Sequence, residues 1–240
     1  MVHTVVGVVG ASGGLGASTL AVALAVRGSL RSGLCVVVDG DPGGGLDVTA
    51  GVEHLPGLRW PDLGQSRGTV DGAALLADLP GQDSVRVLAG SAASPQTQPA
   101  STATRRQVVA ALADLCAVTV LDLGRTPDLA SACTDFVLLT GTSARQLADA
   151  TALLAAGVLD RARCGVVLRP TGRDGISPEE VAGHLGLPLV GVLPDDARVR
   201  RDEQRARMPG TRVRGVVAAT ADRVLEDLAG RAGVAYGVGA

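Results

Sequence analysis

The sequence predicts one doubly wound α/β domain, a mostly parallel twisted sheet with helices on both faces. Three observations carry that expectation. Apolar strand-like runs alternate with helical patterns along the chain, the sign of a parallel sheet covered on both sides. The first run opens directly into a glycine-rich turn and then a helix. Two later runs end in aspartate with a glycine one or two residues on, at the carboxyl edge where such sheets bind ligands. At 240 residues the chain suits a single α/β domain, and residues 1–240 are read as one unit without internal repeats.

Strands are expected over 4–9, 34–38, 85–89, 117–121, 135–140, 164–168 and 189–192, each an apolar run rich in valine or leucine. The first helix runs from Thr19 to Arg31. Leu20, Ala23, Leu24 and Ala25 supply its buried side, and Arg27 and Arg31 come late, where they suit the helix dipole. Helices over 101–114 and 143–157 are entered through Ser/Thr positions that can cap them. Ser177-Pro178-Glu179-Glu180 reads as a strong helix start, with a cap, a proline in first position and acids in the first turn. A last helix over 213–229 places Val213, Val217, Val224 and Leu228 on one side. Asp41 to Gly72 and Gly90 to Ser101 read as loops.

Composition narrows the function classes. The aromatics are Trp60, Phe136 and Tyr236, so the core must be built from small aliphatic contacts. A net charge of −2 argues against general attraction to nucleic acid or anionic membrane. Cys35, Cys116, Cys133 and Cys164 have no C-x-x-C spacing and no neighbouring histidines, which predicts free, mostly buried thiols in a reducing cytoplasm. No apolar stretch reaches the ~18 residues that a membrane span needs. Met1-Val2-His3-Thr4 runs straight into a strand, so no leader peptide is expected.

The glycine-rich turn is Gly10-Ala11-Ser12-Gly13-Gly14-Leu15-Gly16-Ala17-Ser18-Thr19. Its backbone N–H groups can wrap an anion at the start of the helix, and Ser18 stands where a hydroxyl would hold Mg²⁺. A working P-loop carries a lysine between its last glycine and the Ser/Thr, reaching the β/γ-phosphates. That position is Ala17, and the whole sequence contains arginine but no lysine. The acids Asp39 and Asp41 follow the second strand and Asp122 ends the fourth expected strand. At these positions an acid can position water or support Mg²⁺. Arg198, Arg200, Arg201, Arg205, Arg207, Arg212 and Arg214 crowd one segment, interleaved with Asp195, Asp196, Asp202 and Glu203. The segment reads as a salt-bridged helix face, or as a phosphate- or carboxylate-binding surface for an acidic partner or DNA backbone.

Together these elements resemble the ParA/MinD group of P-loop ATPases, whose variant loop has the form K-G-G-x-G-K-[ST]. Ser12 and Ala17 stand at its two lysine positions, Asp39 and Asp41 at the switch I segment, and Asp122 at the Walker B strand end. Val190-Gly191-Val192-Leu193-Pro194-Asp195 looks like the group's late strand. The group often has an adenine-contacting asparagine after the strand at 164–168, where this chain has Arg169-Pro170. Within the group, Asp41-Pro-Gly-Gly-Gly-Leu-Asp-Val and Leu58-Arg59-Trp60-Pro61-Asp62-Leu63 look like the CpaE/TadZ-like, septum-site-determining branch. That branch is linked with polar localisation and Tad-type pilus or secretion assembly. Its N-terminal receiver-like domain is absent from this sequence.

The resemblance implies a P-loop NTPase fold and, as cofactor, ATP with Mg²⁺ in a weakened site. Residues 12–19 would contact the nucleotide, with Ser18, Asp39 and Asp122 around the metal and Asp41 in the inherited catalytic position. The lysine matching position 17 would bind the β/γ-phosphates, and the one matching position 12 would reach a partner subunit's nucleotide in an ATP-sandwiched dimer. Losing one charged hydrogen bond costs roughly 1.5–3 kcal/mol, and losing transition-state stabilisation costs on the order of 10²–10³ in rate. Slow hydrolysis at most is expected.

Three readings stand open on the sequence. The first is a degenerate ATPase acting as a cytoplasmic localisation or assembly factor, recruited to pole or septum by protein partners. The second is a weak but genuine ATP switch whose missing charge comes from an arginine such as Arg125. The third is a ParA-like DNA binder working through Arg198–Arg214. A homodimer is compatible with the first two readings. Direct membrane insertion is not expected, because the tail after Arg231 has no basic face.

Overall fold

The computed structural model describes residues 4–41, 44–64, 69–90, 100–124, 127–170 and 176–233. β1 (Thr4–Gly10), β2 (Cys35–Asp39), β3 (Gly81–Gln82), β4 (Val85–Leu88), β5 (Val118–Asp122), β6 (Asp135–Gly141), β7 (Cys164–Arg169) and β8 (Leu189–Val192) form one sheet. Its order is β3-β4-β2-β5-β1-β6-β7-β8. All pairings are parallel except β3 with β4. The chain leaves β1 toward β2 on one side, while β6 lies on the other. The order therefore reverses around β1, and the carboxyl end of β1 is the switch-point crevice of the sheet.

The helices divide between the faces. α1 (Ala17–Ser32) and α8 (Val216–Ala232) cover one, packing Leu20, Leu24, Val217, Ala221, Val224 and Leu228 on Val6, Val8, Val37 and Val120. α3 (Gly72–Asp78), α4 (Thr102–Ala113), α5 (Ala144–Ala155) and α6 (Pro178–Leu185) cover the other, against Val5, Val9, Val36, Val38 and Leu138. Alternation along each strand sends successive side chains to opposite cores. Gly7 in β1 is required by packing, since a Cβ there would lie 2.7 Å from Leu123 and 2.8 Å from the Cys133 sulfur.

The doubly wound architecture is as expected, and so are the caps. Ser101 accepts from the Thr104 N–H, and Ser143 with Gln146 and Ser177 with Glu180 form complete capping boxes. Three expectations need correction. The segment from Asp41 to Gly72 contains α2 (Leu46–Ala50) and a 3₁₀ turn, Trp60–Leu63, that carries the sole tryptophan into the core. The last helix begins at Val216, so Val213 lies outside it and is 77% exposed. The arginine-rich stretch forms a helix only over α7 (Ala197–Glu203). Cys35, Cys116 and Cys164 are free and buried, and Cys133 is free and half-buried. Burial pushes the thiols of Cys35 and Cys133 up to about 12. Among the described residues no helix is long and apolar enough to cross a membrane.

Candidate functional site

The loop between β1 and α1 has the backbone of an anion nest. Gly14 (φ 76°) and Gly16 (φ 91°) occupy the left-handed region that side chains other than glycine rarely enter. Leu15 is buried between them and pins the loop to the core. Gly16 caps α1 without a side-chain hydrogen bond, and the first turn holds no acid. The unpaired N–H groups of a sixteen-residue helix thus open into a cleft of about 660 Å³. Ser12 to Thr19 line it together with Asp122, Gly124, Arg169 and residues from 193 to 200. The nucleotide-contacting residues expected from the sequence therefore share one cavity.

The acids are assembled by register. Asp39 and Asp122 are paired positions on adjacent strands β2 and β5, and the Gly40 N–H donates to the Asp122 carbonyl at 2.6 Å. A Cβ on Gly40 would lie 2.6 Å from that same oxygen, so the close approach needs glycine. Burial raises the Asp122 carboxyl, opposed by the Ser18 hydroxyl and the Gly124 N–H that it accepts. Burial and the Asp122 charge push Asp39 up to about 7, opposed by N–H donors from Asp41 and Leu46. A hydroxyl beside two buried carboxylates is the hard-oxygen donor set that Mg²⁺ takes alongside water and phosphate, and a cation would relieve their mutual repulsion. Ser18 and Asp122 line the cleft and fit that ion, whereas Asp39, paired in register with Asp122, does not line it. Among the described residues, no cluster of three or more His, Cys, Asp or Glu side chains forms a metal cage. Asp41 is exposed at the rim, its β-carbon 3.5 Å from the Cβ position of Gly124, and does not line the cleft.

Both lysine positions are occupied by groups that bring no charge. Ala17 begins α1 and lines the cleft with a methyl. Ser12 donates to the Asp149 carboxylate on α5 of its own chain at 2.8 Å, and Arg145 also holds Asp149 at 3.1 Å. These two contacts keep the Asp149 carboxyl below the usual range. Arg125, the sequence candidate for a replacement cation, lies outside the described residues.

Sequence reasoning missed a different arginine. Arg169 ends β7 and donates from Nη1 to the Leu15 carbonyl at 2.8 Å, while Nη2 pairs with Asp195. The available signal was its position, a charged residue at the carboxyl end of a strand beside the switch point. Three of the seven arginines in the arginine-rich segment pair with its own acids. Arg212 holds Asp202 with two nitrogens, one at 2.7 Å, Arg207 approaches the same carboxylate at 3.7 Å, and Arg198 pairs with Asp196 at 3.0 Å. Arg200 faces the cleft.

Comparison with solved structures identifies the architecture. The ParA family ATPase of Chlorobium tepidum superposes with a TM-score of 0.79 at 18% identity, over 93% of this chain and 99% of that one. The MinD cell-division ATPase of Pyrococcus furiosus gives 0.76 at 23%, over 96% and 100%. The fold is that of the ParA/MinD ATPases. The septum site-determining protein MinD of Pyrococcus horikoshii, solved with Mg-ADP, gives 0.72 at 20%, over 96% and 97%. In sequence, the chain is 32% identical over 231 residues to two uncharacterized proteins of Mycobacterium tuberculosis, one of them Rv3660c. That match spans 92% of this chain but 63% of each relative. No protein-family model matches the chain.

Proposed function

We propose that this chain is a ParA/MinD-like relative of the nucleotide switches whose ATPase has decayed, and which serves as a localisation or assembly factor. One observation carries the reading. The phosphate nest and the Ser18–Asp122 contact are intact, while Ala17 and Ser12 bring no charge to either lysine position.

Residues 12–19 would cradle phosphate through backbone N–H groups. The Ser18 hydroxyl and the Asp122 carboxylate would hold Mg²⁺, as implied by the Mg-ADP complex of the Pyrococcus horikoshii relative. The metal would neutralise phosphate charge, and Asp41 stands at the rim in the inherited switch position. Ser12 is tied to Asp149 within its own chain, so it does not reach toward a second subunit. This disfavours an ATP-sandwiched dimer and fast turnover. The CpaE/TadZ-like motifs at 41–48 and 58–63 suggest septum-site determination or Tad-type pilus assembly as the setting, with protein partners supplying location. A DNA-backbone role has less support, because Arg198, Arg207 and Arg212 face acids of the same segment.

Sedimentation with and without Mg·ATP, run beside a phosphate-release assay, tests the proposal. The expected result is one unchanged oligomeric state and no turnover above background. A dimer that forms only with Mg·ATP, together with sustained phosphate release, would overturn it.

A further inference from the structure

The phosphate loop has no cation of its own, yet one is held against it. The Arg169 guanidinium lies on the loop backbone with Nη1 2.8 Å from the Leu15 carbonyl. This approach depends on the neighbouring glycine, because a Cβ on Gly16 would lie 2.7 Å from the same nitrogen. The cation is thereby seated beside the uncapped N–H groups that open α1, on the wall of the same cleft. Its second partner is Asp195, a carboxylate 80% exposed. Pairs this exposed contribute about 0–1 kcal/mol, so a multivalent anion can outcompete Asp195. Guanidinium has five N–H donors in a rigid fork, and the two contacts named use two of them.

We infer that Arg169 is the phosphate-binding cation of this cleft, standing in for the loop lysine from the end of β7, and that its ligand is a di- or triphosphate held by its phosphates rather than its base. The inference rests on reading the cleft as a phosphate site. The composition of the wall supports the second half. Its described residues include no aromatic ring to stack on a base, and the sequence contains no asparagine to read one. The same cleft is lined by the aliphatic Leu193, Val199 and Val217 and by the charged Asp195, Asp196, Arg200 and Glu203. Ser18 and Asp122 line the same cleft, so a bound polyphosphate would meet both Arg169 and these metal-binding oxygens.

Titration calorimetry with Mg·ATP and with magnesium pyrophosphate tests this on four proteins: the wild type, Arg169→Gln, Ala17→Lys, and the double variant. The wild type should bind both ligands with Kd values within about threefold. Arg169→Gln should weaken both by about 10- to 150-fold, the loss of one charged hydrogen bond. Ala17→Lys placed in the Arg169→Gln background should restore binding, which also shows that the arginine change leaves the fold intact. The inference is overturned if Arg169→Gln binds like the wild type, or if ATP binds a hundredfold more tightly than pyrophosphate. A silent wild type beside a binding Ala17→Lys variant also overturns it, while leaving the decayed-switch reading standing. Should all four proteins ignore both ligands, the phosphate site itself falls with it.

Discussion

Asp39 and Asp122 meet in register across β2 and β5 with almost no access to water, and their proximity has a measurable consequence. Asp39 in the folded chain titrates at about 7 against an ordinary value of 3.8. The native state therefore keeps a proton through a range in which the unfolded chain has released it. Stability then falls as pH rises from about 4 to about 7 and levels off above. At 1.36 kcal/mol per unit the effect is at most on the order of 4 kcal/mol, and Asp122, also raised by burial, adds in the same direction. Urea midpoints measured in EDTA should drop between pH 5 and pH 8. Asp39→Asn should flatten much of that slope, and Mg²⁺ should recover stability at pH 8 if the pair holds the ion. Parallel pH profiles for wild type and variant would remove Asp39 as the cause.

At the scale of elements, α4 is tied to the loop after β2 through one side chain. Arg105 is buried, its Nη2 donates to the Gly40 carbonyl, and its guanidinium lies 5.9 Å from the Trp60 ring centre. Trp60 in turn donates from its indole nitrogen to the Asp39 carbonyl at 2.7 Å. Arg105 Nε has no partner among the described residues, and burial lowers the guanidinium pKa against the pull of Asp128, Asp39 and Asp41. Arg105→Ala should cost about 2–3 kcal/mol, since it removes a charged hydrogen bond and a ring contact in the core. It should also shift the emission of Trp60, the chain's one tryptophan. Unchanged emission and an unchanged unfolding midpoint would mean that Arg105 does not hold this loop.

That linkage marks the limit of what sequence could reveal. The long strands and the capping boxes at Ser143 and Ser177 were legible because period and cap chemistry are local. Asp39 and Asp122 were legible because each ends an apolar run. α2 was hidden in a glycine- and proline-rich stretch, and both α2 and the alanine- and leucine-rich α3 are too short to show a period. Arg105 and Asp149 left no local trace, and Arg169 left only its place at the end of a strand. Their contacts join residues 65, 137 and 154 positions apart, and only the packed sheet brings them together.

For the whole molecule, the decisive seam joins the first helix to the last. α1 carries the glycine-rich loop at its start, and α8 packs beside it while lending Val217 to the cleft wall. Asp222 on α8 clamps the pair, taking Arg27 at 2.9 Å and Arg31 at 2.8 Å, and Arg31 also reaches Glu226 at 3.2 Å. The Arg27, Arg31 and Asp222 side chains are 15–27% exposed, so salt screens them less than a surface pair. The Arg145–Asp149 pair makes the contrast, since Arg145 is 86% exposed. Asp222→Asn removes the charge but keeps the shape. It should cost about 1 kcal/mol at low ionic strength and retain more than half of that cost in 1 M NaCl. Arg145→Gln should cost less than about 0.5 kcal/mol and lose it entirely in salt. If the cost of Asp222→Asn also vanishes in 1 M NaCl, the seam is held by its aliphatic contacts alone. The position of α8 against the glycine-rich loop would then follow from Val217, Ala221, Val224 and Leu228 rather than from charge.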